Sequence, residues 1–212
     1  MKYIFLFLLI CLGQNFFPVN AQTKKAAPIG KLFIIGGGNR SPELMQKLVA
    51  SAAFTPKDYV VVLPMSGSEP DTSFFYFKED FKKVCSNTIV NFTFTKQKVN
   101  DKNWLGSLKN ARLIFITGRN QQRFMSIVLH TPVYDASHAA YNNGSTIART
   151  SAGAAVMSEQ MITGKELTDT AQNVMFKKAH KKILILSSGW GYLVLPQKVV
   201  LNLGHKNPYK PL

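Results

Sequence analysis

Ser151 is the residue whose surroundings most clearly suit a chemical reaction. It lies between a predicted strand, residues 146–149, and the small residues Ala152 and Gly153. A strand that leads directly into a serine, with a helix opening on small residues, presents the hydroxyl on a sharp turn, as serine hydrolases do. The helix N-terminus would direct backbone N–H groups, first that of Ala152, toward a tetrahedral oxyanion. The residues alone leave a plainer role open, because serine is also a common helix N-cap.

Two further turns with unusual composition follow predicted strands. Residues 36–39 read Gly-Gly-Gly-Asn, and residues 117–121 read Thr-Gly-Arg-Asn-Gln. The carboxyl ends of parallel strands form one rim of a sheet, where ligands bind, so we expect all three turns to lie together. The triple glycine lacks the spacing of a dinucleotide-binding fingerprint, and a simple tight turn explains it equally well.

The elements that must position these turns follow an alternating pattern. Short β-branched or aromatic runs alternate with longer amphipathic segments, which predicts an α/β fold with a mostly parallel sheet flanked by helices. The predicted strands are residues 31–35, 59–63, 88–94, 112–117, 146–149 and 182–186. One helix begins at Ser41, a good N-cap before proline. The other predicted helices are residues 72–83, 104–110, 121–129, 133–142 and 152–162.

The N-terminal segment has the pattern of a secretory signal peptide. Lys2 precedes an apolar run, residues 3–12, and a small residue, Ala21, ends the segment. The run is too short to span a bilayer, so we expect no stable membrane insertion after cleavage, although an uncleaved anchor remains an alternative. We therefore expect a signal peptide at 1–21, a linker at 22–30 and one domain at 31–212, in a secreted or periplasmic protein.

Charge and metal-ligand patterns exclude several classes of function. The formal net charge of +15 would suit an anionic partner. However, the basic residues are scattered, and the densest cluster, residues 177–182, has no interleaved aromatics and no nucleic-acid module, so we expect no nucleic-acid partner. Cys85 is interpreted as a packing residue. No His-Glu-x-x-His motif or Cys/His cluster is present in the sequence, so no metal and no cofactor is predicted.

The three turns together resemble those of cyanophycinases, which are relatives of dipeptidase E. The resemblance rests on residues 36–38, 118–121, 131–132 and 150–162, in the family's order, and runs from about 31 to 195. It implies a core like that of class I glutamine amidotransferases, which is flavodoxin-like, and a serine nucleophile. The implied partner is a peptide substrate with aspartyl residues, namely cyanophycin, which is cleaved to β-Asp-Arg dipeptides, or an aspartyl dipeptide.

The resemblance also implies roles for individual residues. Ser151 would attack the scissile carbonyl, and backbone N–H groups near Gly118 and Ala152 would hold the oxyanion. Asn120 and Gln121 would contact the substrate. Serine requires a base to take its proton and an acid to orient that base. The base is expected to be His205, one position later than in the family, and the acid Asp169, with Glu166 as the alternative.

Four departures from the family pattern favour a second hypothesis, a catalytically impaired member that acts as a binding protein. One is the shifted position of His205. Arg119 and Arg149 stand where the family has glycine, and arginine would be strained if those positions need a positive φ. The sequence also stops at Leu212, where the resemblance implies further strands. A sheet that lacked its final strands would expose an edge and invite pairing with a second copy, as a homodimer.

Overall fold

A six-stranded parallel sheet forms the centre of the molecule. The structure is a computed structural model that describes residues 28–166, 184–189 and 199–202. The strand order in the sheet is β3-β2-β4-β5-β1-β8, and every pairing in it is parallel. Its strands are β1 (Lys31–Ile35), β2 (Tyr59–Leu63), β3 (Thr88–Asn91), β4 (Leu113–Ile116), β5 (Thr146–Thr150) and β8 (Val199–Asn202).

Five α-helices lie between the strands in the described residues. They are α1 (Pro42–Ala52), α2 (Pro70–Lys82), α3 (Lys102–Lys109), α4 (Gln121–Val128) and α5 (Pro132–Asn142). Proline occupies the first turn of α1, α2 and α5, where its missing N–H costs nothing. The Ser41 side chain accepts a hydrogen bond from the Leu44 N–H at 3.3 Å, so the expected N-cap of α1 is present.

The helices cover both faces of the sheet, because alternate strand residues point to opposite sides. On one face, α1 and α2 pack on Phe33, Val60 and Phe115 in one buried cluster. On the other face, α3, α4 and α5 pack in a second cluster that includes Leu32 and Ile147. The predicted α/β architecture, a mostly parallel sheet with flanking helices, is therefore confirmed.

The segment after Ser151 differs from the prediction of one long helix at 152–162. A short 3₁₀ helix covers Ser151–Met157, and a strand, β6 (Gln160–Glu166), follows it. β6 pairs antiparallel with β7 (Leu184–Ser188) in a separate two-stranded sheet, so the strand predicted at 182–186 lies outside the parallel sheet. This pairing joins residues distant in sequence, so local helix propensity did not reveal it.

None of the helices in the described ranges is long and apolar enough to cross a bilayer.

Candidate active site

The sheet order places β4, β5 and β1 side by side, so the turns after these strands meet. A cleft of about 530 Å³ lies at this rim. Its lining residues are Gly38, Asn39 and Arg40 after β1, Ser73, Tyr76 and Asp80 of α2, Thr117, Gly118 and Arg119 after β4, and Thr150 and Ser151 at the end of β5. The expectation that the three turns share one rim is confirmed.

Ser151 is exposed at this rim and has a left-handed backbone, with φ of 53°. A non-glycine residue at such a φ is strained, and strain of this kind occurs at sharp functional turns. The Ser151 N–H donates to the Gly36 carbonyl at 3.3 Å, and the Thr150 hydroxyl donates to the same carbonyl at 3.3 Å. Thr150 has the extended conformation and occupies the N-cap position. The simple N-cap interpretation of Ser151 is therefore wrong.

Gly118 touches the Ser151 turn directly. A Cβ atom placed on Gly118 would lie 2.9 Å from the Thr150 carbonyl oxygen and 3.1 Å from the Ser151 Cβ. Only glycine allows this approach without a shift of the backbone. Ala152 is the second residue of the 3₁₀ helix, and its N–H is among those that have no acceptor within a helix. The backbones of Gly118 and Ala152 thus flank Ser151, as an oxyanion site would require, and this assignment stays a prediction.

Asn120 and Gln121 lie at the start of α4. The Asn120 side-chain oxygen accepts a hydrogen bond from the Arg123 N–H at 2.9 Å and caps the helix. Gln121 is the first residue of that helix and is half-buried. Of the described residues, neither Asn120 nor Gln121 belongs to the lining of the 530 Å³ cleft. Their contact with substrate therefore stays a prediction. The capping role of Asn120 had a local signal in the sequence, because asparagine directly before a helix is a common N-cap.

Two arginines line the cleft, and they differ in whether an acidic side chain pairs with them. Arg40 is paired with Asp80, with Nη2 2.8 Å and Nε 3.0 Å from Oδ2. Lys83 Nζ lies 3.7 Å from the other oxygen of Asp80. Arg119 is exposed, has φ of 117°, and forms no ion pair with the acids in the described parts of the chain. A ligand can therefore approach Arg119 without breaking an ion pair with a described residue. The backbone of Arg119 has the glycine-like conformation that the sequence suggested.

Arg149 does not have the strained backbone that its place in the motif suggested. It pairs in regular register with Ile34 of β1 and Ile116 of β4, and its side chain is fully buried. The guanidinium lies 4.6 Å from the ring centroid of Phe124, and Nη1 donates to the Gly153 carbonyl at 3.1 Å. No sequence signal identified this arrangement, because charged residues are seldom fully buried.

The remaining predicted residues are His205, Asp169 and Glu166. His205 and Asp169 are outside the described residues. Glu166 is the last residue of β6, where its backbone pairs with Leu184. β8 lies beside β1, with Asn202 opposite Ile35, so the chain returns to the rim three positions before His205 in sequence.

Comparison with known proteins identifies the family. Residues 32–179 match the model of Peptidase family S51. The chain belongs to this family. It is 25% identical over 138 residues to the cyanophycinases of Trichormus variabilis and a Nostoc species, a match that covers 63% of this chain and 46% of each relative. The S51 chain thus matches less than half the length of these curated relatives. The resemblance inferred from the three turns is confirmed.

A solved structure agrees with the fold of this S51 member. The crystal structure of a peptidase from an acI-B1 Actinobacterium superposes with a TM-score of 0.58 at 16% identity, covering 77% of this chain and 65% of that one. The S51 match spans the chain from β1 to beyond β6 and includes every described residue that lines the cleft.

Proposed function

We propose that this chain is an exported serine peptidase of the cyanophycinase type that hydrolyses peptide bonds at aspartyl residues. The observation that carries the proposal is the exposed Ser151, held at φ of 53° between a strand and a helix, in a cleft of about 530 Å³. Ligand sites commonly have volumes of about 300–1,000 Å³, so the cleft can accommodate a short peptide. Family membership supports peptidase chemistry at this serine.

The proposed reaction is acyl transfer through Ser151. His205 takes the hydroxyl proton as Oγ attacks the scissile carbonyl carbon, and Asp169, or else Glu166, orients the imidazole. The N–H groups of Gly118 and Ala152 donate to the oxyanion. The C–N bond then breaks, and the leaving amine receives the proton from His205. Water attacks the acyl carbon and gives a proton to His205, and the Ser151 oxygen then leaves and takes that proton. The return of β8 to the rim supports the assignment of His205.

Charge in the cleft supports an acidic substrate. Arg40 is neutralised by Asp80, whereas Arg119 lies beside Gly118 with no acidic partner among the described residues. A substrate carboxylate can form a charge-assisted hydrogen bond with Arg119. The similarity to cyanophycinases leads us to propose cyanophycin or an aspartyl dipeptide as the substrate, with Asn120 and Gln121 near the bound peptide. The N-terminal signal pattern supports a secreted or periplasmic location.

Incubation of the protein with cyanophycin and with β-Asp-Arg test peptides tests this proposal. We expect the wild type to release β-Asp-Arg dipeptides and Ser151→Ala to release none. Ser126→Ala is the matched control, because Ser126 is an exposed serine of α4 outside the cleft and donates only to the Arg123 carbonyl. Equal release by wild type and Ser151→Ala would contradict the assignment of the nucleophile.

A second candidate is a binding protein that retains the fold without turnover. The strained backbone of Arg119 favours it, because a φ of 117° next to Gly118 places a glycine-like conformation on a bulky residue beside the oxyanion site. A fluorophosphonate probe separates the two functions, since it labels only an activated serine. Labelling of Ser151 supports the peptidase, and folded protein that binds aspartyl peptides without labelling supports the binding protein.

A further inference from the structure

Arg149 lies directly beneath the turn that carries Ser151. It is the fourth residue of β5, two positions before Ser151. Alternation along the strand places Arg149 on the same face as Ile147, and Ile147 packs in the cluster that contains Phe124. The side chain is fully buried, so it cannot touch a substrate in the cleft.

A buried cation is costly unless the surrounding groups compensate for its lost hydration. Two contacts do so here. The guanidinium carbon lies 4.6 Å from the ring centroid of Phe124, within cation–π range. Nη1 donates to the carbonyl oxygen of Gly153 at 3.1 Å, and this bond joins β5 to the first turn of the 3₁₀ helix.

Gly153 lies close to the ends of β4 and β5. A Cβ atom placed on it would lie 3.4 Å from the Thr117 carbonyl oxygen and 3.6 Å from the Arg149 Cβ. The Arg149 stem thus lies next to Gly153, and its guanidinium contacts the turn through the hydrogen bond to the Gly153 carbonyl. The strained φ of Ser151 persists only if its surroundings determine the local conformation, and these contacts contribute to that.

We propose that Arg149 is a positioning residue that holds the first turn of the 3₁₀ helix, so that the Ser151 hydroxyl faces the cleft and the Ala152 N–H faces the oxyanion. The inference rests on the proposed serine chemistry. Arg149 acts through Gly153 and takes no part in proton transfer.

The test compares Arg149→Met with Arg112→Met. Methionine keeps an apolar stem and removes the charge and the donors. Arg112 is the matched control, because its Nε also donates to a backbone carbonyl, that of Ala52 at 2.6 Å, but near the amino end of β4, away from the cleft. The measurements are the rate of fluorophosphonate labelling of Ser151, amide hydrogen exchange over residues 151–157, and the thermal unfolding midpoint.

We expect Arg149→Met to label about tenfold more slowly and to exchange faster at residues 151–157, because misplacement of a reacting group by a fraction of an ångström costs about that much. Arg112→Met should lower the unfolding midpoint without changing either property of the turn. Wild-type labelling and exchange in folded Arg149→Met would overturn the inference. If Arg149→Met does not fold, Arg149→Lys tests the inference instead, because lysine keeps the charge and lacks the planar guanidinium. Slower labelling of Ser151 in Arg149→Lys supports the inference, and labelling at the wild-type rate overturns it.

Failure of the proposed serine chemistry can be distinguished from failure of the inference about Arg149. If the wild type does not label at all, the proposed peptidase is wrong, and hydrogen exchange alone tests Arg149. Faster exchange at residues 151–157 in Arg149→Met than in Arg112→Met would still support its positioning role, and equal exchange would refute it.

Discussion

Gly118→Ala should disable the site while leaving most of the fold intact. The added Cβ would lie 2.9 Å from the Thr150 carbonyl oxygen, whereas ordinary contacts begin near 3.4 Å. The clash is with backbone, so no side-chain rotation relieves it. One of the two turns must therefore move by about 0.5 Å, and misplacement of about 1 Å at a reacting group can cost about 100-fold, so a loss of about tenfold is expected.

The assay is the second-order rate of fluorophosphonate labelling at Ser151, measured beside urea unfolding. We expect a tenfold lower rate and a loss of about 1–3 kcal/mol in the free energy of unfolding, which is typical of overpacking. Gly106→Ala is the matched control, because a Cβ at that position in α3 meets nothing within 4 Å. It should stabilise the fold by about 0.5–1 kcal/mol through helix propensity and leave labelling unchanged.

A Gly118→Ala protein that labels at the wild-type rate with wild-type stability would refute the reasoning. It would mean that the turns after β4 and β5 are not in close contact in solution.

Three further changes probe strain, pH dependence and capping. Arg119→Gly should raise the free energy of unfolding by about 1 kcal/mol, because it relieves a φ of 117°, and should weaken any preference for acidic over neutral peptides. Burial raises the pKa of Tyr141 above its usual value of 10.0. The stability linked to the protonated phenol is therefore fully present below pH 10 and lost as pH rises through the raised pKa. Tyr141→Phe should flatten this alkaline loss in thermal unfolding. Asp101→Ala should cost about 1 kcal/mol in urea unfolding, because its carboxylate accepts from the N–H groups of Asn103 and Trp104.

Each of these outcomes has a clear contrary result. If the Arg119→Gly protein is less stable than wild type, contacts of the arginine side chain stabilise the fold by more than the strained backbone destabilises it. Parallel stability curves for wild type and Tyr141→Phe above pH 10 would contradict the buried phenol. Unchanged unfolding of Asp101→Ala would mean that water replaces the cap without loss.

The predictable parts of this fold depend on local signals. Ser41 before Pro42 marked the start of α1, and the apolar run at residues 59–63 marked a central strand; the structure has both at these positions. The rim that gathers the three turns followed from parallel pairing alone. Such features can be predicted because capping, propensity and strand direction act over a few residues.

The features that escaped prediction depend on contacts between distant segments. The helix expected at 152–162 stops after Met157 because β6 pairs with β7, which begins at Leu184. The burial of Arg149 depends on Phe124, which lies on helix α4. Neither feature could be predicted locally, because each depends on a segment elsewhere in the chain.

The position of β1 in the sheet also determines when the cleft can form during synthesis. β1 is the first of the described strands along the chain, yet its partners β5 and β8 come after all the other described strands of the parallel sheet. The hydrogen bond from Thr150 to Gly36 joins residues 114 positions apart, a separation typical of slow, late-forming contacts. A nascent chain that has not reached residue 146 holds β1 without a partner strand and has no Ser151 to present. The turn that carries Ser151 is therefore among the last parts of the described sheet to assemble, so a chain that ends before residue 150 lacks the cleft that this turn helps to line.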